Sequence, residues 1–413
     1  MKDWSTNMNG RSKIAIQKVN KNDIKTAVFK ALEQIDAQNL MKKENMIVLL
    51  KPNLLMGKPI ERAVNTHPEV LRSVIQWVKL FNPSKVYVCD SAGGQKPGIT
   101  ELAMKDSGIL AICQEEGVDC IPFEKTEREH YEVKNPLDLK EFVSTDLIKK
   151  ADLIINIPKI KTHGQCLLTC CIKNMFGTIL LGNKAKTHAQ FPTLDRFSSA
   201  LADIYSVSNP QLTVIDGILC QEGKGPSQGD VVELNLILAG YDGVALDTLV
   251  CKIVGFDPKE VLYLIKAEEK GLGTSDLTNI DLLGEKVETV RRDFKRPPKH
   301  PISMPLPRWL ADYVGRTIFK AHVKFKPEKC RLCSTCWINC PGEAIIPPIE
   351  LKKGNVPRWI KKKCIMCYCC VELCPYEAVD FKLNYIKNAL TSAGCFIILS
   401  MIAAIILLLI WVF

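Results

Sequence analysis

The sequence predicts an α/β N-terminal domain with a largely parallel sheet, then a small cysteine-rich domain, then a C-terminal transmembrane helix. Three observations carry this prediction. Short apolar runs alternate with segments of helical period up to Gly273. Two cysteine runs of identical spacing lie between Cys330 and Cys374. No charged residue occurs after Lys387.

The first domain is justified element by element. Met46–Leu50 (MIVLL) is a short apolar strand, and KPNLL after it reads as a strand end and loop. Pro68–Leu80 places Val70, Leu71, Ile75 and Val78 on one helical stripe, with proline near its start, where a missing N–H costs nothing. Lys85–Cys89 is a strand leading into the loop DSAGGQKPG, and Ile99–Glu116 is mostly helix. Asp152–Ile157, Leu212–Ile215 and Val232–Leu238 read as strands, and Ala245–Val254 and Lys259–Lys270 as helices. Strand and helix alternating in this way favour helices packed on a parallel sheet.

A chain of 413 residues is too long for one core and suits two or three units. Its hydrophobic content of 47% argues against wholesale disorder. Eighteen cysteines are many, but disulfide frameworks serve small secreted domains. The N-terminus MKDWSTNMNGRSK offers no apolar h-region, so no secretory signal is expected. Metal-bound or free thiols in a reducing compartment follow. The net charge of +10 is concentrated late: Lys295–Lys387 holds 18 Lys and Arg against 7 Asp and Glu. A basic face of this kind suits an acidic partner protein, an anionic membrane surface or nucleic acid. Nucleic acid is disfavoured, because little aromatic residue is interleaved for base stacking.

Residues 1–294 form the expected first domain. A basic linker and amphipathic segment cover 295–325, a cysteine-rich domain 326–384, and a membrane span 389–413. Five prolines between Lys295 and Pro307 exclude a continuous helix there. Arg308–Lys324 reads as an amphipathic helix, on the membrane or against its own domain. As a helix, residues 389–413 would be about 37 Å long, enough to cross a hydrocarbon core of ~30 Å. Basic residues on its N-terminal side predict a single-pass anchor in the cell membrane with the bulk of the chain cytoplasmic.

The first cysteine run is Cys330-x2-Cys333-x2-Cys336-x3-Cys340-Pro341, and the second is Cys364-x2-Cys367-x2-Cys370-x3-Cys374-Pro375. A cubane needs four thiolates at its corners, and three closely spaced cysteines wrap one face. In two-cluster proteins the fourth cysteine of each run serves the other cluster. Two [4Fe–4S] clusters are therefore expected, one on Cys330, Cys333, Cys336 and Cys374, the other on Cys364, Cys367, Cys370 and Cys340. Zinc takes cysteines in pairs and has no use for this period. Cys369 reads as a spare apolar residue; Cys166, Cys170 and Cys171 read as buried thiols, or as approaching a third metal or a substrate. Lys326–Phe381 resembles the two-[4Fe–4S] bacterial ferredoxins. That resemblance implies a small α+β fold and single-electron transfer between neighbouring clusters.

Residues 13–273 resemble the family called domain of unknown function 362. The resemblance rests on KPNLL (51–55), NTHPEVLRSVIQWV (65–78), CDSAGG (89–94), ADLIINIPKIKTHG (151–164), CCIKNMFG (170–177), IDGI (215–218), EGKGP (222–226) and GLG (271–273). It implies no settled reaction. Read physically, three loops at strand ends collect polar groups: Lys51 and Asn53; Asp90, Ser91, Gly93 and Gly94; and Lys159, Lys161, Thr162 and His163, with Lys173 and Asn174 beyond. Loops at the carboxyl ends of strands usually build the site of an α/β sheet. Lysines, amides and glycines converging there suit an anionic small ligand. His163 and His188 are the candidate proton donors, and Asp216 and Glu222 their candidate partners or metal ligands. Gly223, Gly225 and Gly229 do not form a dinucleotide fingerprint, because a strand pattern follows them where that motif needs a helix.

Two functions fit these features. One is a membrane-anchored iron–sulfur oxidoreductase or electron carrier working with a redox partner protein. The other is a non-enzymatic ligand- or partner-binding protein whose clusters sense redox state or stabilise the fold.

Overall fold

The computed structural model describes residues 12–20, 23–191, 193–297, 321–383 and 400–401. The chain divides into two compact units, Met1–His300 and Pro301–Phe413.

Twelve strands are described in the first unit: β1 (Ser12–Lys18), β2 (Ile47–Pro52), β3 (Lys85–Asp90), β4 (Asp119–Pro122), β5 (Arg128–Glu132), β6 (Glu141–Thr145), β7 (Leu153–Ile157), β8 (Lys159–His163), β9 (Leu167–Thr169), β10 (Leu212–Glu222), β11 (Asp230–Gly240) and β12 (Ile280–Gly284). Ten of them build one sheet in the order β12-β1-β11-β10-β7-β2-β3-β4, with β8 beside β10 and β9 beside β8. β5 and β6 form a separate antiparallel hairpin.

The sheet is mixed, which corrects the largely parallel expectation. β10, β7, β2, β3 and β4 run parallel. β11 runs antiparallel to both β10 and β1, and β9 runs antiparallel to β8. The reason is loop length. A parallel return needs a crossover of about a dozen residues or more, and only Gly223–Gly229 join β10 to β11.

Alternate residues of the central strands serve two cores. Ile14, Ile16, Leu49 and Ile154 face the helices Leu194–Ser208, Gly243–Ile253 and Leu262–Glu269. Ala15, Val48, Leu50, Leu153 and Ile155 face the helices Ile24–Gln34, Pro68–Lys79, Ile99–Asp106 and Ile109–Glu115. The helix predicted over Ile99–Glu116 is two helices, broken where Gly108 takes a φ of 81°. Asp242 starts the helix Gly243–Ile253 by accepting from the N–H of Val244 and Ala245, at 2.8 and 2.9 Å.

In the second unit β13 (Ala321–Phe325) pairs antiparallel with β16 (Val379–Leu383), and β14 (Ile345–Ile346) with β15 (Arg358–Trp359). Two short helices, Thr335–Ile338 and Cys369–Glu372, lie between them. The amphipathic helix expected over 308–324 does not hold at its end, where Ala321–Lys324 belong to β13; its remainder lies outside the described residues. The predicted transmembrane helix also lies outside them, apart from the helical Ser400 and Met401. Among the described residues no helix is long and apolar enough to cross a membrane. The single-pass anchor and the orientation drawn from it rested on hydropathy alone and are withdrawn.

Candidate functional site

The carboxyl ends of β2, β3 and β7 deliver polar residues into the interior of the first unit, beside β8 and β10. Lys51, next to the last residue of β2, has no exposed surface and pairs with Asp90, the last residue of β3, at 2.9 Å. Asp90 also accepts the N–H groups of Leu54 and Ser91, both at 2.8 Å. Burial depresses the Lys51 ammonium, and the adjoining Asp90 opposes that. Lys159 pairs with Asp216 of β10 at 2.7 Å, and both are buried. Asp216 accepts further from the N–H of His67 at 2.6 Å and of Ile218 at 3.0 Å. Lys161 donates to Asn53 Oδ1 at 2.7 Å and to the Val64 carbonyl at 2.6 Å.

An amide chain links these pairs. Asn53 donates to Asn174 at 3.0 Å, Asn174 to Asn156 at 2.7 Å, and Asn156 to the Cys171 carbonyl at 3.0 Å. Thr66 accepts from the Asn53 N–H and donates to the Ile157 carbonyl, both at 2.7 Å. Gly177 closes the network from above. A Cβ there would collide with Asp90 Oδ1 and stand 2.5 Å from Lys51 Nζ, so only glycine fits against the ion pair. Gly225 is held in the same way against the Thr162 carbonyl.

The sequence-predicted residues divide accordingly. Lys159, Lys161 and Asp216 join Lys51, Asn53, Asp90 and Asn174. His163 does not act as a proton donor through Nδ1, which accepts from the N–H of Gln165 and Cys166, both at 3.1 Å. Lys173 stands over the Phe176 ring, 5.9 Å from its centroid. His188 stacks on Phe197 with centroids 4.2 Å apart and meets Phe176 edge-on. Burial pushes it down to about 3, so it is neutral at neutral pH and its Nδ1 finds no partner. Glu222 pairs with Lys295 at 3.2 Å and accepts its N–H at 2.9 Å.

Three members were not singled out in the sequence. His67 caps the helix Pro68–Lys79, and its ring is pushed down by burial more than the neighbouring Asp216 raises it. Asn156 was visible as the one polar residue inside the apolar run LIINI. Lys184 donates to the carbonyls of Ser91 and Ala92, at 2.7 and 3.3 Å. Burial of its ammonium pushes it down to about 7, a range in which a lysine exchanges protons readily. Nothing in the spacing of GNKAKTH marks it.

In the second unit the cysteines gather in two groups that cross the two runs. Burial and then the neighbouring Cys374, Cys333 and Cys330 push the Cys336 thiol up to about 12. Burial and then Cys367, Cys364, Cys340 and Cys336 push the Cys370 thiol up. Cys340, Cys364, Cys367 and Cys370 line one apolar hollow with Ile345, Trp359 and Phe381. The backbone repeats with the sequence. Leu332 and Met366, Ser334 and Tyr368, and Glu343 and Glu377 all take left-handed φ at equivalent positions of the two runs. The N–H of Ala344 donates to Cys340 Sγ at 3.2 Å, and that of Ala378 to Cys374 Sγ at 3.3 Å. Loops that curl around a centre, thiols that face it and N–H groups aimed at sulfur fit two cubanes, whose coordination would hold these thiols deprotonated.

Comparison with known proteins bears on the first unit. The model of the family described as "Domain of unknown function (DUF362)" matches residues 48–252. A thylakoid-associated protein of Synechocystis sp. is 31% identical over 304 residues, covering 72% of this chain and 89% of that one. The chain belongs to the DUF362 family. The network residues Lys51, Asp90, Asn156 and Lys159 all fall inside the DUF362 match. The match stops before the cysteine runs, so ferredoxin is not carried over as a family name; that unit stands on its own geometry. Among solved structures, the lactate racemase apoprotein from Thermoanaerobacterium thermosaccharolyticum overlaps 58% of this chain at 15% identity and a TM-score of 0.36. A Thermotoga maritima protein overlaps 61% at 12% identity and a TM-score of 0.35. The matched part spans 55% and 58% of those chains, and neither likeness bears on function.

Proposed function

We propose that this protein transfers single electrons through two [4Fe–4S] clusters held by its second unit, to or from an anionic ligand or redox site in the DUF362 unit. The observation that carries the reading is that thiols of the two runs cross: Cys374 packs with Cys336 of the first run, and Cys340 lines one hollow with Cys364, Cys367 and Cys370 of the second. Each cluster would supply a one-electron couple; Ile345, Trp359 and Phe381 would shield the one on Cys340, Cys364, Cys367 and Cys370, and the N–H groups of Ala344 and Ala378 would donate to the ligand sulfurs of Cys340 and Cys374. In the DUF362 unit, the group for an anion is Lys184, whose ammonium donates to the carbonyls of Ser91 and Ala92 at the end of β3. A redox partner protein with an acidic face suits the basic second unit, whose Lys361–Lys363 form a run of three. Association with a membrane surface is proposed from the thylakoid-associated relative and that basic run.

The test is anaerobic purification followed by iron and sulfide analysis and low-temperature EPR of the dithionite-reduced protein. About eight irons and eight labile sulfides per chain are expected, with signals of two interacting reduced clusters. Zinc in place of iron, or iron without labile sulfide, overturns the reading.

A second reading is favoured by one observation. The buried lysines Lys51 and Lys159 are already paired with Asp90 and Asp216. On this reading the network is a framework, the unit binds a ligand or partner without chemistry, and the clusters report redox state. Turnover of an electron acceptor by the reduced protein would count against it.

A further inference from the structure

Away from the strand-end network, a second group of reactive side chains is sealed in the first unit. Cys170 precedes and Cys171 opens the short helix Cys171–Asn174, and Asp247 lies in the helix Gly243–Ile253. All three are buried without exposed surface, and their ligand atoms lie within 4.8 Å of one another. The two sulfurs are 3.8 Å apart and form no disulfide. Asp247 is oriented by the N–H of Cys171 at 2.7 Å and of Ile172 at 3.1 Å, one on each oxygen.

We infer that Cys170, Cys171 and Asp247 bind a zinc ion in a buried structural site. Two facts converge on it. Tetrahedral zinc with Zn–S bonds of about 2.3 Å sets two thiolate sulfurs about 3.8 Å apart, the separation found between Cys170 and Cys171. A carboxylate this deep is normally paired, and among the described residues no lysine or arginine ion pair reaches Asp247. A divalent cation supplies the missing charge. The fully buried Tyr263 hydroxyl lies in the same surroundings and finds no hydrogen-bond partner among the described residues.

The site ties the segment Cys170–Gly177 to the helix Gly243–Ile253. That segment carries Asn174 and Gly177 of the strand-end network, so the zinc is a structural pin for it. The site is separate from the eight thiols of the second unit and stands whether or not those hold iron.

The experiment is metal analysis of the full chain expressed with zinc and iron and purified anaerobically. One zinc per chain is expected beside the iron. Zinc K-edge absorption of the wild-type protein is expected to show a mixed sulfur and oxygen shell with Zn–S near 2.3 Å. Cys170→Ser/Cys171→Ser and Asp247→Asn are each expected to lose that zinc while iron and sulfide stay unchanged. A wild-type chain without zinc, a shell of sulfur alone, or zinc retained by the soluble variants overturns the inference. The wild-type spectrum decides the matter if the variants fail to fold.

Discussion

Gly177 and His188 illustrate what single residues do in this molecule. Gly177 lets its backbone approach the Lys51–Asp90 pair more closely than any side chain permits. Gly177→Ala must displace one partner of a buried ion pair, and breaking such pairs costs about 3–5 kcal/mol. The variant is expected to lose about 3 kcal/mol or more in urea unfolding, whereas Gly98→Ala, with open space around its Cβ, is expected to lose only the small cost of its positive φ. His188 acts through protons. Its folded pKa is depressed to about 3, against about 6.5 in the unfolded chain. The unfolded chain therefore binds more protons between these values, and this residue removes stability as pH falls from about 6.5 toward 3. In His188→Phe that contribution vanishes. The stability of the variant relative to wild type is expected to rise by about 1.4 kcal/mol between pH 6 and pH 5, read as a difference so that other titrations cancel. An unchanged difference would show that His188 is protonated in the folded state.

At the scale of elements, the parallel half of the sheet was legible because its strands are buried on both faces. MIVLL, KVYVC and DLIINI are nearly continuous apolar runs, and each became a strand within a residue or two of its expected place. β10 and β11 were seen only as their apolar cores, Leu212–Ile215 and Val232–Leu238, although each runs for 11 residues. Their outer halves carry Asp216, Gly217, Gln221 and Glu222, which read as loop; pairing across the hairpin holds them extended. Missing those halves hid the short connection that makes the sheet mixed. The strand-end cluster was legible as a set of loops, because carboxyl ends of parallel strands gather on one edge. Which members would neutralise each other was not. Lys159 and Asp216 are 57 residues apart, and only the parallel pairing of β8 with β10 brings them together. His188 read as a proton donor because titration near neutrality belongs to the exposed imidazole, and nothing local announces two phenylalanines around it.

At the scale of the molecule, the two units are held by different physics. The first has two extensive apolar cores, one on each face of its sheet. The second has a small one, in which Cys336 and Cys374 pack with Ile345, Ala378 and Val379. If it holds the proposed clusters, a unit with so little apolar interior would depend on them for cohesion. Crossed ligation would make that dependence mutual, because each cysteine run would complete the site of the other. If each run served one cluster alone, Cys374→Ser would damage the second centre and Cys340→Ser the first. With Cys374 grouped beside Cys330, Cys333 and Cys336, the assignment is reversed. Cys374→Ser is therefore expected to change the EPR signal that Cys333→Ser also changes, and to leave intact the one altered by Cys367→Ser. Cys340→Ser is expected to pair with Cys367→Ser in the same way. Iron should fall from about eight to about four per chain in variants that lose one centre cleanly. Because bound clusters would stabilise the folded unit by mass action, thermal unfolding of every single variant is expected to begin at a lower temperature than in the intact chain. Signals that follow the linear runs, or a second unit that melts unchanged without iron, would refute the crossed arrangement.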